Sequence, residues 1–366
     1  MNQTPLTYLD GETLMSTILP PIRFVVDRLL PQGLHILAGS PKVGKSWLAL
    51  WLCLCVAKGE PVWNFPTAQG GVLYLCLEDS WSRIQSRLLD LTDDAPAGLC
   101  FATMSERLHT GLVEQIEGFL AGHPDTALVV IDTLQRIRAV GNEANPYASD
   151  YRDLGVLKEL ADRHRIAVLL IHHLRKLNDE DPMNMISGTT GISGATDTNL
   201  VLKKGVRSGS TATLYCTGRD IEYQELTLEF DQDAHVWKLV SGGEPAEEPH
   251  DEVLRALSAF LTERREFTGT ATELAEALGP YGREKPRPNV LMKHLLRRQE
   301  ELSRLGITLR SRRSRDRREL TLTRLGDGND GSDGKNDTGP VPNLLSQPSQ
   351  PSPNRTDTSN VGGADK

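Results

Sequence analysis

Eight consecutive residues, Gly39, Ser40, Pro41, Lys42, Val43, Gly44, Lys45 and Ser46, satisfy the spacing Gly-x4-Gly-Lys-Ser/Thr. Glycine in such a loop lets backbone N–H groups approach phosphate oxygens, and a helix starting at Lys45 would add positive potential. The Lys45 ammonium supplies a point charge for β and γ phosphates, and the Ser46 hydroxyl suits a phosphate-bound Mg2+. Trp47 closes the stretch expected to contact nucleotide. The pattern predicts a P-loop with ATP and Mg2+ as ligands; the bland alternative is an unoccupied glycine turn.

Two acids could complete that chemistry. The apolar run Leu128-Val129-Val130-Ile131 ends in Asp132, a carboxylate at the end of a buried strand and suited to Mg2+. The run Val72 to Leu77 ends in Glu78-Asp79, which makes Glu78 the candidate base for an attacking water. Each has a plain structural reading beside it. Asp132 could cap a turn, and Glu78 and Asp79 could simply favour the start of a helix over Trp81 to Leu91.

These residues need a scaffold, and residues 33–240 supply its pattern. Apolar β-like runs at Leu34 to Leu37, Val72 to Leu77, Ala127 to Ile131 and Ala167 to Ile171 alternate with helical stretches. Such alternation predicts an α/β core with a mostly parallel sheet covered on both faces. After Gly194 come short β-rich runs, Asn199 to Lys203, Thr211 to Cys216, Glu225 to Phe230 and His235 to Val240, which predict antiparallel strands finishing the sheet.

Ser241 to Pro249 is rich in Gly and Pro and interrupts both periodicities, so it reads as a linker. The predicted order is an N-terminal segment (1–32), the α/β domain (33–240), a linker (241–250), a basic module (251–325) and a disordered tail (326–366) rich in Gly, Asp, Asn, Ser, Pro and Thr. The formal net charge is −8, yet 251–325 holds two Lys and 15 Arg against 11 acids, about +6, so any nucleic-acid footprint is local. The five cysteines sit in apolar stretches without CxxC spacing and read as reduced core residues. No apolar run approaches the roughly 20 residues of a membrane span, and no secretory signal is visible. The expectation is a soluble, cytoplasmic protein.

The P-loop, Leu77-Glu78-Asp79-Ser80, the Asp132 strand and Leu169-Leu170-Ile171-His172-His173 together resemble a RecA-like ATPase. More closely, they resemble the RepA-type hexameric replicative helicases of plasmids and phages, over roughly residues 20–240. The resemblance implies that Glu78 is the catalytic glutamate and that His172 or His173 senses the γ-phosphate. It also implies active sites between subunits of a homo-oligomeric ring, with Arg219 as the arginine finger and Arg207 as second candidate. A histidine at a strand end and an arginine in a β-turn also have ordinary structural readings. The stretches 136–150 and 174–191, expected to be irregular, would by the same resemblance contact single-stranded DNA through Arg138, Arg175 and Lys176. The second of them also carries Asp179, Glu180 and Asp181 and no aromatic for base stacking.

Residues 251–325 read as helices over Glu252 to Thr262, Thr272 to Leu278 and Asn289 to Leu305, then two short β runs, and resemble a winged helix. Arg310, Arg312, Arg313, Arg315, Arg317 and Arg318 would lie on the wing, and Lys293, Arg297 and Arg298 on the third helix. That clustering suits phosphate contact, with a packing or protein-binding role as the alternative. The function expected is Mg-dependent ATP hydrolysis by a ring acting on DNA, a replicative helicase with replication partners. The rival is a non-translocating ATP-dependent regulator or adaptor whose C-terminal module binds DNA or protein. A small-molecule kinase fits poorly, since no acceptor-binding lid is evident.

Overall fold

A fully buried apolar run such as Gly33–Gly39 is stable as a strand only when both faces of its sheet are covered, and the architecture follows from that requirement. The computed structural model describes residues 8–138, 146–174, 182–186, 190–205, 209–243, 251–282, 285–313 and 318–324. The chain divides into two compact units, Ile22–Pro249 and, together, Met1–Pro21 with His250–Lys366. In the second unit a short helix, α1 (Gly11–Ser16), is capped by the Asp10 side chain, which accepts from Thr13 N.

The large unit starts with the antiparallel pair β1 (Phe24–Val26) and β2 (Leu30–Pro31), whose Val25, Val26, Leu29 and Leu30 are buried in its core. There follow β3 (Gly33–Gly39), α2 (Lys45–Lys58), β4 (Gly71–Cys76), α3 (Trp81–Leu91), β5 (Leu99–Ala102), α4 (Leu112–Gly122), β6 (Thr126–Asp132), α5 (Leu134–Ile137), α6 (Pro146–His164), β7 (Ala167–His173), α7 (Thr190–Ala195), β8 (Thr198–Lys204), β9 (Thr211–Gly218), β10 (Gln224–Asp231) and β11 (Val236–Ser241). Among the described residues these strands form one nine-stranded sheet ordered β11-β10-β9-β8-β3-β7-β6-β4-β5. From β8 to β5 neighbouring strands are parallel, and β9, β10 and β11 finish the sheet antiparallel. The fold is α/β with a mostly parallel central sheet. Two apolar cores, one on each face, hold alternate residues of the same strands: Leu128 and Val130 lie in one, Val129 and Ile131 in the other. Helix α2 is apolar almost all round and is buried along most of its length, as a helix enclosed on every side must be.

The stretch expected to be irregular from 136 to 150 is shorter than that, because α5 covers Leu134–Ile137 and α6 begins at Pro146. Proline is tolerated in a first helical turn, where its missing N–H has no partner to lose. The stretch from 174 to 191 contains a 3-10 turn at Pro182–Met185 and the start of α7. Arg175, Lys176, Asp179, Glu180, Asp181 and Arg207 lie outside the described residues. Four cysteines are buried and Cys100 is half-buried, all as free thiols.

The small unit runs α8 (Glu252–Arg264), β12 (Glu266–Gly269), α9 (Ala271–Leu278), α10 (Pro288–Arg297), α11 (Gln299–Arg304), β13 (Ile307–Arg313) and β14 (Arg318–Arg324), with a three-stranded sheet ordered β12-β14-β13. Its core joins Leu257, Phe260, Leu274, Leu278, Leu295 and Leu322. Three details differ from the sequence expectation, the first being strand β12, which that expectation lacks. Helix α9 starts a residue earlier, after Thr270, which forms a reciprocal capping box with Glu273. The third helix is broken at Arg298 into α10 and α11, and that residue pairs with Glu301 at 2.7 Å and Asp251 at 3.8 Å. No helix among the described residues is long and apolar enough to cross a membrane.

Candidate active site at the carboxyl edge of the sheet

The parallel strands β3, β7, β6 and β4 end together, with Gly39 beside His173, Asp132 beside Ile171 and Cys76 beside Asp132. Each residue that follows such a strand end therefore faces the same crevice. Gly44 opens α2 in a left-handed conformation, φ +105°, and a side chain there would meet the Trp237 ring at 3.0 Å. Only glycine meets both demands. Trp237, on β11, also donates from Nε1 to the Gly44 carbonyl at 3.3 Å, so the last strand props the loop from behind.

Lys45 folds back over its loop. Its Nζ donates to the carbonyls of Gly39 at 2.7 Å and Ser40 at 3.0 Å and lies 3.3 Å from Nδ1 of His173. Burial pulls this ammonium down to about 8, opposed by the charges of Asp132 and Glu78. Ser46 Oγ donates to Asp132 Oδ2 at 2.8 Å, and the Tyr74 hydroxyl donates to the same oxygen at 3.1 Å. Burial raises the Asp132 carboxyl, while those two hydrogen bonds hold it down. A hydroxyl and a carboxylate side by side are hard oxygen donors that fit a phosphate-bound Mg2+, whose remaining ligands would be phosphate and water.

Glu78 Oε1 accepts from Thr133 Oγ1 at 3.2 Å, which fixes the carboxylate beside the end of β6. Asp79 is engaged differently. It pairs with Arg83 at 2.8 Å and Arg87 at 2.5 Å along α3, while Ser80 caps that helix. His173, next to Lys45, is partly exposed; burial and the Lys45 charge both lower it. His172 is pulled to about 4 by burial, with Arg138, His173 and Lys45 adding to the shift, so it is neutral at ordinary pH. Trp47 stacks on His235 at 4.6 Å between ring centroids, and the Arg87 guanidinium lies 5.6 Å from the Trp47 ring.

Residues 4–179 match the AAA domain family, and residues 253–336 match the AICE RepA C-terminal domain family. Over these two segments the chain is similar to AAA domains and to the C-terminal domains of AICE RepA proteins. Solved structures similar to the chain include one described as an ATPase domain, at 14% identity and a TM-score of 0.48 over 57% of this chain and 85% of that one. Another is a DnaB-like replicative helicase described with its primase interactions, at 14% identity and a TM-score of 0.47 over 58% of this chain and 59% of that one. No curated protein matches the chain.

Within the matched AAA segment the chain brings together Lys45, Ser46, Glu78, Asp132 and His173. Arg219 lies elsewhere. It follows β9 at the amino edge of the sheet, where its Nη1 pairs with Asp197 Oδ1 at 3.3 Å. Asp197 in turn meets Leu34, five residues and roughly 16 Å of parallel strand from Gly39. Tyr74, Thr133, Trp237 and Asp197 escape a reading of the sequence. Each gains its meaning only from strand order, and nothing in its neighbouring residues marks it.

Proposed function

We propose that the chain is a Mg-dependent ATPase that assembles into a ring, a hexamer, and acts on single-stranded DNA as a replicative helicase of the RepA type. The observation that carries this reading is the convergence of Lys45, Ser46, Asp132, Glu78 and His173 at one sheet edge behind a P-loop. In the proposed reaction the N–H groups of residues 39–46 hold the phosphates, and Lys45 turns from its loop carbonyls to the β and γ phosphates. Ser46 and Asp132 hold Mg2+, which when bound would neutralise charge on the phosphates. Glu78 orients the attacking water and takes its proton. His173, beside Lys45, reads the γ-phosphate. Trp47, held between Arg87 and His235, flanks the nucleotide.

Arg219 would act in the neighbour's site. Its place at the edge remote from its own P-loop supports a role in trans and none in cis. Lys293, Arg297, Arg310 and Arg312 of the small unit are exposed and suited to phosphate contact. Arg298, tied to Glu301 and Asp251, is a structural residue in this reading.

A second reading, a non-translocating ATP-dependent regulator or adaptor, is favoured by one observation. Arg138, a candidate DNA contact, pairs with buried Asp153 at 3.4 Å, and His109 holds the other oxygen of that carboxylate at 2.9 Å. ATP hydrolysis with and without single-stranded DNA, for wild type and Glu78→Gln, alongside mass by light scattering, separates the two. A DNA motor gives a ring whose turnover rises strongly with DNA and is silenced by Glu78→Gln. Slow turnover indifferent to DNA sinks the helicase reading and leaves the regulator.

A further inference from the structure

In the small unit one helix turns an unpaired basic face outward. Helix α10 gives Leu291, Met292 and Leu295 to the core of that unit, while Arg287 at its N-cap, Val290, Lys293 and Arg297 are exposed. At about 100° per residue those four positions fall within roughly 120° of the helix circumference, so three cations and one aliphatic side chain form a single stripe. The residues of α10 include no acid. Three other cations of the unit are engaged: Arg298 with Glu301 and Asp251, Lys285 with Glu276, and Arg324 with Ser258 and Thr262. Arg287, Lys293 and Arg297 form no ion pair among the described residues, nor do Arg310 and Arg312, which alternate along the exposed side of β13.

We propose that the small unit binds duplex DNA, with α10 laid in the major groove. The proposal rests on the reading of this unit's cations as phosphate contacts and goes beyond it by assigning the form of the DNA and the element that enters it. Ten residues of α-helix are about 15 Å long, and a major groove about 12 Å wide admits such a helix. Arg287, Val290 and Lys293, at the start and middle of α10, then face base edges, where Val290 suits the methyl group of thymine. Arg297, Arg310 and Arg312 meet the flanking phosphates. A single strand is the poorer match, because its recognition depends on aromatic side chains on which bases stack. The three aromatics of residues 251–324 face one another instead, with Phe260 packed edge-on against both Phe267 and Tyr281. The duplex site thus belongs to a different unit from the one that would act on single-stranded DNA, and it would tether the chain to double-stranded DNA.

The test is fluorescence anisotropy of the full-length chain with labelled duplexes two helical turns long, about 20 base pairs, recovered from a random-sequence pool by the wild-type chain, and with their separated strands. Wild type should bind the duplex on the order of 10-fold or more tightly than either strand. Lys293→Ala should weaken duplex binding on the order of 10- to 100-fold and blunt the preference for the recovered sequence over a scrambled one. Arg312→Ala should weaken both duplexes alike and reduce the slope of log Kd against log salt by about 1. Arg255→Ala removes the same charge from α8 and should change neither. The replaced side chains are exposed, so thermal melting should match wild type; should Lys293→Ala melt early, Arg297→Glu carries the same test. Separated strands that bind as tightly as the duplex overturn the proposal in favour of a single-strand site. Failure to recover any duplex overturns it too and leaves the face to a protein partner. Equal losses from Lys293→Ala and Arg255→Ala sink it as well, because net charge and not α10 would then set the affinity. If wild-type ATP turnover is indifferent to single strands while duplex binding persists, the helicase reading falls and this one stands.

Discussion

The two edges of the central sheet handle charge in opposite ways. At the carboxyl edge Lys45 is held by backbone carbonyls, Glu78 by one weak hydroxyl contact, and the pair Ser46 and Asp132 has its remaining oxygen valences open. At the amino edge Asp197 is closed on all sides by Leu34, Lys158 and Arg219. Polar groups whose partners can be exchanged are suited to binding a ligand, whereas a filled, buried carboxylate is suited to holding geometry. The contrast separates a site open to a ligand at one edge from a filled ion-pair cluster at the other.

Replacing Arg219 by Ala is the strongest way to break that division. If the carboxyl edge holds everything needed to bind nucleotide, Arg219→Ala should keep the wild-type Kd for an ATP analogue while kcat falls on the order of 10³–10⁵-fold. Steady-state hydrolysis beside a fluorescence titration reads both. Loss of nucleotide binding would mean that the amino edge supports the P-loop directly, and the division would collapse.

A smaller effect tests the amino edge as scaffold. Gly33→Ala forces a methyl against Asp197 at a positive φ, and by denaturant titration should cost about 1–3 kcal/mol of stability. An unchanged denaturation midpoint would show that Asp197 is not held rigidly.

How far the two edges could be read from sequence differs for a physical reason. The P-loop, Asp132 and Glu78 are legible because each is local: an apolar strand run followed at once by a residue of the right chemistry. Strand–helix alternation likewise forecasts the parallel sheet, and the four β runs after Gly194 forecast its antiparallel end. Asp197 is illegible because its role depends on β8 lying beside β3, a pairing between residues 163 apart in the chain. Tyr74 is hidden in the same way, its hydroxyl reaching Asp132 only because β4 and β6 are neighbours. In the small unit, β12 is four residues long and too short to announce itself, and the break at Arg298 interrupts a helical pattern that continues on both sides.

The carboxyl edge also makes a pH prediction. With Lys45 drawn down to about 8, the free enzyme is protonated there below that pH and loses the charge above it. A bound polyphosphate favours the protonated form, so ATP affinity should be flat below about pH 8. It should then weaken by about tenfold per pH unit above, until the pKa of the complex is reached. Isothermal titration from pH 6.5 to 9.5 checks this, and Lys45→Met should bind weakly at every pH with no inflection. A wild-type curve without an inflection would place the Lys45 charge outside the binding step.

The smallest expected effect sits behind the loop. Trp237→Phe keeps most of the apolar volume packed against Gly44 but deletes the Nε1 donor to its carbonyl. That carbonyl is the first acceptor of α2, receiving Leu48 N at 3.1 Å, so it keeps a partner and the loss should be confined to about 0.5–1.5 kcal/mol by denaturant titration. The KM for ATP should rise modestly while kcat stays near wild type, because the loop is loosened and no reacting group is moved. Since Trp237 belongs to the last strand of the sheet, a fall in kcat with KM unchanged would transfer that strand from scaffold to chemistry and blur the distinction between the edges.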